Sequence, residues 1–141
     1  MNKVTVYTIA LLNLLGSTAI SLAGETYCES DYLRVSDGGT YVSNNTAVIG
    51  SARKTQLPGQ EKPTTGCSYS WNALGGFNKP IEILKQPKFG TVSIPFKYRI
   101  FYKPTKVGDD EFVAKIHWMS NTGQLNTATV TYKIKNIDHP I

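Results

Sequence analysis

Apolar and polar residues alternate along most of this chain, and this alternation is the feature that most constrains its fold. Residues 67–72 read Cys, Ser, Tyr, Ser, Trp, Asn, and residues 128–135 alternate Ala, Val, Tyr and Ile with Thr and Lys. No stretch of the sequence sustains the roughly 3.6-residue apolar period of an amphipathic helix. Because a period of two places every second side chain on one face of a strand, the sequence predicts an all-β chain.

Turn residues divide the chain into short predicted strands. Residues 37–39 (Asp-Gly-Gly) predict a hairpin turn between strands at 32–36 and 40–43. Pro95 predicts an edge strand or a bulge, because proline has no N–H to donate to a ladder. The other predicted strands are 46–49, 67–72, 81–84, 91–94, 96–102, 112–118 and 128–135. About seven to nine short strands separated by frequent turns predict an antiparallel β-sandwich.

Residues 1–23 predict a cleaved secretory signal peptide. A single lysine precedes an apolar centre at 9–15, and Ser21 and Ala23 are the small residues that a cleavage site requires. The alternative is an uncleaved membrane anchor, since about 20 uncharged residues can span a bilayer. Polar residues within the stretch and the lack of a basic cluster after it favour cleavage. Cleavage leaves residues 24–141 as one domain without a transmembrane segment, in the periplasm or outside the cell.

The two cysteines, Cys28 and Cys67, both lie in the exported part of the chain. An even number of cysteines in an oxidising compartment predicts a disulfide. Their separation is 39 residues, for which the lost chain entropy corresponds to about 4 kcal/mol. The alternative is a pair of free buried thiols. A redox role is disfavoured because the sequence has no Cys-x-x-Cys motif.

Four motifs follow one another in residues 80–137. They are Pro87-Lys88-Phe89-Gly90-Thr91-Val92, Tyr102-Lys103-Pro104, Gly108-Asp109-Asp110-Glu111-Phe112 and the alternating strand Thr129-Val130-Thr131-Tyr132. In this order and spacing the region resembles the bacterial Ig-like and cadherin-like modules of exported and surface proteins, whose pattern runs P-x-x-G-x-V, Y-x-P, G-x-D-x-F. The resemblance covers about half of the predicted mature chain. It implies that the predicted sandwich is Ig-like.

Elementary chemistry gives the motif residues structural roles. Glycine is expected where the chain must turn sharply, because it lacks a Cβ. Asp110 is expected to accept backbone N–H bonds in the loop before its strand, and Tyr102 and Phe112 are expected to anchor the core. The predicted structural motif residues are Gly90, Tyr102, Pro104, Gly108, Asp110 and Phe112.

The cadherin-like part of the resemblance raises a calcium site as an alternative role for Asp109 and Asp110. Calcium takes about six to eight oxygen ligands, several of them from carboxylates. Glu111 and Asp138 are the further acidic candidates, and the sequence has no D-x-D-x-D loop. We therefore expect neither a metal nor a cofactor.

The sequence offers little for catalysis. His117 lies in a predicted strand on the face opposite the aromatic residues and is expected to face solvent, and His139 is two residues from the C-terminus. Neither a G-x-S-x-G elbow nor a glycine-rich phosphate loop occurs in the sequence. The ten acidic residues include no pair with a context typical of glycosidases. We predict that the protein is not an enzyme, with a small hydrolase as the least favoured alternative.

Basic residues are concentrated between residues 79 and 106. Seven Lys or Arg residues face a single acid, Glu82, so this segment carries +6 while the whole chain carries +5. A basic strand face with aromatic neighbours can bind phosphate or sulfate groups. The alternative is that the lysines only solubilise the sheet and protect an edge strand. The predicted binding face consists of Lys97, Arg99, Lys103, Tyr98, Lys88 and Lys106.

Together these features predict an exported, non-enzymatic Ig-like binding module of the bacterial cell envelope or extracellular space. The expected partner is a protein or an anionic glycan of the envelope, and nucleic acid is not expected. The polar loop at 51–66, with Arg53, Lys54 and Lys62, is a second candidate contact surface. The alternative function is a structural subunit of a surface assembly or an adhesin-like protein, in which an edge strand would pair with a neighbouring subunit.

Overall fold

The computed structural model describes residues 28–49 and 66–138, and these residues form β-strands joined by turns, with no helix among them. No described residue therefore belongs to a helix that could cross a membrane. The all-β prediction is confirmed. The predicted signal peptide, residues 51–65 of the predicted loop and His139 lie outside the described residues. The strands are β1 (Cys28–Ser30), β2 (Thr40–Val48), β3 (Cys67–Ser70), β4 (Glu82–Lys85), β5 (Gly90–Phe96), β6 (Arg99–Pro104), β7 (Gly108–Met119) and β8 (Leu125–Ile137).

The strands of the described residues form two sheets. The larger sheet has the order β1-β2-β8-β7-β4, and the smaller sheet has the order β3-β6-β5. The described strand pairs are antiparallel except for β2 and β8, which run parallel. The prediction of a purely antiparallel fold is wrong at this pair. Parallel neighbours need a long connection, and here almost the whole described chain lies between the two strands.

Both sheets contribute side chains to one hydrophobic core. Ile100 and Tyr102 enter it from β6, and Phe112 and Tyr132 enter it from β7 and β8. Phe112 stacks between the two tyrosines, with ring centroids 5.8 Å from Tyr102 and 4.6 Å from Tyr132. The apolar face that predicted these strands is the face that packs in this core.

The predicted hairpin around residues 37–39 does not form. Residues 31–36 have no regular strand structure, and β2 pairs with β1 and β8 instead. Gly38 does turn the chain, with a φ of 75° that favours glycine. Its N–H donates to the Thr127 carbonyl at 2.8 Å, so a contact with β8 replaces local pairing across the turn.

Pro95 lies in β5, the edge strand of the smaller sheet, where the register shifts between Ser93 and Phe96. The edge and the bulge predicted from this proline are both confirmed. At this position the missing N–H of proline does not interrupt the hydrogen bonds of a central strand. The strand predicted at 96–102 is interrupted at residues 97–98, which turn the chain from β5 into β6.

The predicted disulfide between Cys28 and Cys67 is confirmed, with the two Cα atoms 5.5 Å apart. It joins the beginning of β1 in the larger sheet to the beginning of β3 in the smaller sheet. The two sheets are therefore linked covalently at the point where both of these strands start.

Candidate functional site

A buried polar cluster surrounds Asp110 at the beginning of β7. The carboxylate accepts the backbone N–H groups of Lys88 and Phe89 at 2.8 and 3.0 Å, and that of Glu111 at 2.9 Å. It also accepts the hydroxyl of Tyr102 at 2.8 Å, and burial raises the pKa of that hydroxyl above its usual range. Two of the three N–H donors belong to the turn between β4 and β5. Asp110 therefore fixes a turn far from it in sequence, in addition to the start of its own strand.

Asn136 of β8 completes the cluster. Its side-chain amide donates to the Tyr102 hydroxyl at 2.7 Å and to the carbonyls of Phe89 and Lys106 at 3.1 and 3.2 Å. Only 1% of the residue is exposed. The sequence patterns did not single out Asn136. The available indication was an amide side chain at an inward-facing position of an alternating strand, where an apolar residue is usual.

The other motif residues pack around this cluster. A Cβ on Gly90 would collide with the Tyr102 ring, and Gly108 has a φ of 134°. Pro104 pairs with Gly90 in the β5–β6 ladder. Within residues 28–49 and 66–138, no group of three or more His, Cys, Asp or Glu side chains is arranged to hold a metal ion. The hydrogen bonds of Asp110 are those of a structural residue.

The six residues of the predicted binding face lie in two groups at opposite ends of the β5–β6 hairpin. Lys97, Tyr98 and Arg99 form the hairpin-turn group, and Lys88, Lys103 and Lys106 lie toward the end where Gly90 pairs with Pro104. The seven residues of β5 separate these ends by about 20 Å. Because of this distance, the two groups are separate candidate surfaces.

Aromatic rings support the hairpin-turn group. The guanidinium carbon of Arg99 is 5.5 Å from the centre of the Phe96 ring and 5.7 Å from that of Tyr98, and its Nε donates to the Ser70 hydroxyl at 3.0 Å. The two rings stack at 5.4 Å, and Phe77 lies 5.8 Å from Tyr98. Cation–π contacts of this kind restrict the guanidinium without neutralising its charge.

An open cleft of about 810 Å³ lies next to the hairpin-turn group. One wall is the irregular segment 31–35, and the other consists of β3 and residues 71–77. Tyr32 and Leu74 line it and are 84% and 91% exposed. Contiguous exposed apolar surface of this kind marks binding sites more often than it marks ordinary surface. The partly buried apolar lining includes Leu33, Val35, Trp71, Phe77, Trp118 and Met119.

The floor of the cleft is tied to the core. Trp71 donates its indole N–H to the Tyr132 hydroxyl at 2.9 Å, and the Tyr132 ring lies 5.2 Å from that of Tyr69. Burial raises the pKa of Tyr132 above its usual range. Tyr69 and Tyr132 belong to the core, and Trp71 bonds to Tyr132. The floor of the cleft is therefore held in place by the core.

In the wall formed by residues 31–35, most backbone groups have no hydrogen-bond partner among the described residues. The N–H of Asp31 donates to the Asn44 carbonyl at 3.2 Å, which ends the pairing of β1 with β2. Residues 32–35 make no backbone hydrogen bond to any part of the chain that the structure describes. Residues 32–35 of this wall therefore present backbone polar groups that no described residue engages.

The opposite wall is an edge strand. The Trp71 N–H donates to the Tyr98 carbonyl at 2.9 Å, in register with the pairing of Ser70 with Arg99. Hydrogen-bonded pairs alternate in an antiparallel ladder, so the backbone groups of Ser68 and Ser70 point away from β6. No described strand pairs with that side of β3.

His117 is buried, and the prediction that it faces solvent is wrong. It lies on the outer side of β7, but only 7% of it is exposed. Its Nε2 shares a 2.8 Å hydrogen bond with Glu82 Oε2 on the neighbouring strand, and this bond lowers the pKa of the Glu82 carboxyl. A partner from β4 covers a position that strand alternation alone marks as exposed.

Comparisons with protein-family models, with curated proteins and with solved structures find no match for this chain.

The sequence patterns did not predict the cleft. Residues 32–36 alternate like a strand, and Trp71 continues the alternation of Cys67 and Tyr69, so both indicate a closed sheet. Alternation shows which face of a segment is apolar, but it does not show which segment lies beside it. A missing neighbour leaves no trace in such a pattern.

Proposed function

We propose that this chain is an exported, non-enzymatic Ig-like module that binds an anionic glycan of the cell envelope through the hairpin-turn group. The observation that carries the proposal is Arg99, held over the rings of Phe96 and Tyr98 at 5.5 and 5.7 Å and not ion-paired with any described carboxylate. A guanidinium in this setting offers several N–H donors to a sulfate, phosphate or carboxylate group. Lys97 adds a second, exposed cation beside it.

The strand order supports the Ig-like part of the proposal. In an Ig constant-type domain, strands G, F and C are neighbours in one sheet and strands B, E and D belong to the other. Here β8, β7 and β4 are consecutive neighbours in the larger sheet, and the smaller sheet has the order β3-β6-β5. The β5–β6 and β7–β8 hairpins then correspond to D–E and F–G. The disulfide differs from that of antibody domains, because it joins β1 to β3.

The disulfide supports export, since such bonds persist in oxidising compartments. An exported basic surface meets the polyanions of the envelope before it meets any nucleic acid. Two ionisable side chains of the described residues have structural partners: Asp110 in its hydrogen-bonded cluster and His117 with Glu82. These engagements support binding as the activity.

The test measures binding to dextran sulfate, with neutral dextran as the control ligand. We expect binding that weakens steeply with added salt. The double variant Lys97→Ala/Arg99→Ala is expected to weaken it about tenfold, because two charge-assisted contacts are lost. The matched control is Lys88→Ala/Lys106→Ala, which removes the same charge at the other end of the hairpin and should retain most of the affinity.

Equal losses in the two double variants would mean that net charge alone drives binding, and the hairpin-turn site would be rejected. Binding to neutral dextran at the same affinity would also reject it, because the proposed contacts require an anion.

A further inference from the structure

We propose that the cleft between residues 31–35 and β3 binds an extended segment of an acidic partner protein, which adds to β3 as a new strand. This goes beyond glycan binding at the hairpin turn, because it assigns a second ligand class to a different surface.

Backbone groups on both walls of the cleft favour the addition of a strand. Ser68 and Ser70 direct their N–H and C=O groups away from β6 and line the cleft, and residues 32–35 on the opposite wall have backbone groups that pair with no described residue. An extended chain between the two walls would satisfy both. Strand addition to an exposed sheet edge obtains its affinity from such main-chain hydrogen bonds.

The lining of the cleft determines the pattern of side chains that fits. Successive side chains of an added strand point to opposite faces, so every second one would enter the cleft above Trp71 and Trp118. Tyr32 and Leu74, 84% and 91% exposed, stand at the opening where a bound strand would cover them. The occupant therefore has apolar residues at alternate positions.

Charge identifies the occupant as acidic. Asp31 and Arg34 line the cleft with opposite charges, and Arg34 is exposed and has no acidic partner among the described residues. Arg99 contacts Ser70 in the β3 wall and adds a second cation beside the cleft. The two cations outnumber the one carboxylate, so the net charge around the opening is positive. A second copy of this chain carries a net charge of +5 and is the less complementary occupant.

The probe is a synthetic peptide of about ten residues, a usual upper length for a strand, with valine and threonine alternating between glutamates at both ends. We expect it to bind the full chain and to slow hydrogen exchange at the Ser68 and Ser70 amides. Two control peptides test the chemistry. One replaces the glutamates with lysines, and the other carries N-methyl groups on alternate backbone nitrogens, which prevents strand pairing.

Surface variants test the location. Leu74→Ser and Tyr32→Ser each remove an exposed apolar side chain at the opening and are expected to weaken peptide binding about tenfold. Val107→Ser is the matched control, since Val107 is 50% exposed and lies outside the cleft. Ser68→Pro removes one N–H that faces the cleft without removing a ladder bond to β6, and we expect it to abolish binding while the disulfide and the β-sheet circular dichroism are retained.

Several results would overturn the proposal. The N-methylated or the lysine-flanked peptide would bind as well as the probe if strand pairing or acidity were irrelevant. Concentration-dependent dimers in sedimentation that disappear in Leu74→Ser would identify a second copy as the occupant instead. Dextran sulfate binding serves as the independent readout: Leu74→Ser should leave it unchanged, so failure of the glycan site and failure of the cleft are distinguishable.

Discussion

Among the described residues, backbone polar groups have hydrogen-bond partners in the cluster around Asp110 and lack them in the cleft beside β3. In the cluster, the N–H groups of Lys88 and Phe89 are satisfied by a buried carboxylate from a distant strand. In the cleft, the outward groups of Ser68 and Ser70 face open space. A buried backbone group without a partner costs free energy, whereas an exposed group is hydrated until a ligand replaces the water. The cluster therefore contributes mainly to stability, whereas the cleft keeps backbone groups accessible for binding.

A row of aromatic rings connects the two regions. It runs from Tyr102 through Phe112 to Tyr132 and Tyr69, with successive ring centroids 5.8, 4.6 and 5.2 Å apart. The hydroxyl of Tyr102 lies in the cluster, and that of Tyr132 accepts the Trp71 indole at the cleft floor. The same residue type therefore serves a closed network at one end and the base of an open surface at the other.

The largest expected effect comes from removing the disulfide. We expect Cys28→Ser/Cys67→Ser to lower the free energy of unfolding by about 4 kcal/mol, because the bond closes a loop with a sequence separation of 39 residues. Asp31 lies close to Cys28 and its N–H is held by one hydrogen bond to Asn44, so its amide should lose more protection than those of Lys88 and Phe89. Denaturant unfolding and hydrogen exchange measure both effects. Equal loss of protection at Asp31 and in the cluster would contradict the comparison.

A single type of substitution compares the two regions directly. Tyr102→Phe removes one buried hydrogen bond from Asp110 and one from Asn136 and is expected to cost roughly 1–3 kcal/mol. Tyr132→Phe removes only the acceptor of the Trp71 indole, which lies beside an open cleft where water can replace it, and we expect about 1 kcal/mol or less. Urea unfolding of both variants gives the difference. A larger cost for Tyr132→Phe would reverse the assignment of stability to the cluster.

The smallest expected effect involves Glu82, which lies in neither region. Its pKa is lowered from 4.5 by the hydrogen bond to His117, so its stabilising contribution is present above pH 4.5 and is lost as the pH falls through the lowered pKa. Unfolding of Glu82→Gln and wild type from neutral to acidic pH should show a small gap that closes in acid. Glu29→Gln is the control at an exposed acid of β1. A gap that widens in acid would show that the His117 contact does not act through the carboxylate.

The predictability of the candidate surfaces was uneven. A charge pattern in the sequence predicted the residues of the hairpin-turn group. It did not predict that they lie apart from Lys88, Lys103 and Lys106, because the turn at residues 97–98 interrupts a stretch that alternation predicts as one strand. The motif residues were expected to have structural roles. The partners of Asp110 were not predicted, because two of its backbone donors lie about twenty residues away in sequence.

Local patterns were sufficient to predict an all-β chain, the Cys28–Cys67 disulfide and the edge position of Pro95. Alternation, cysteine number and the missing N–H of proline are local or compositional properties, and they act in the same way whichever strands become neighbours. The tertiary structure adds what these patterns lack: β2 runs parallel to β8, residues 32–35 make no backbone hydrogen bond within the described part of the chain, and Asn136 and His117 are buried. Each of these depends on which distant segment lies beside a strand, and that choice is made by packing of the whole core rather than by any local pattern.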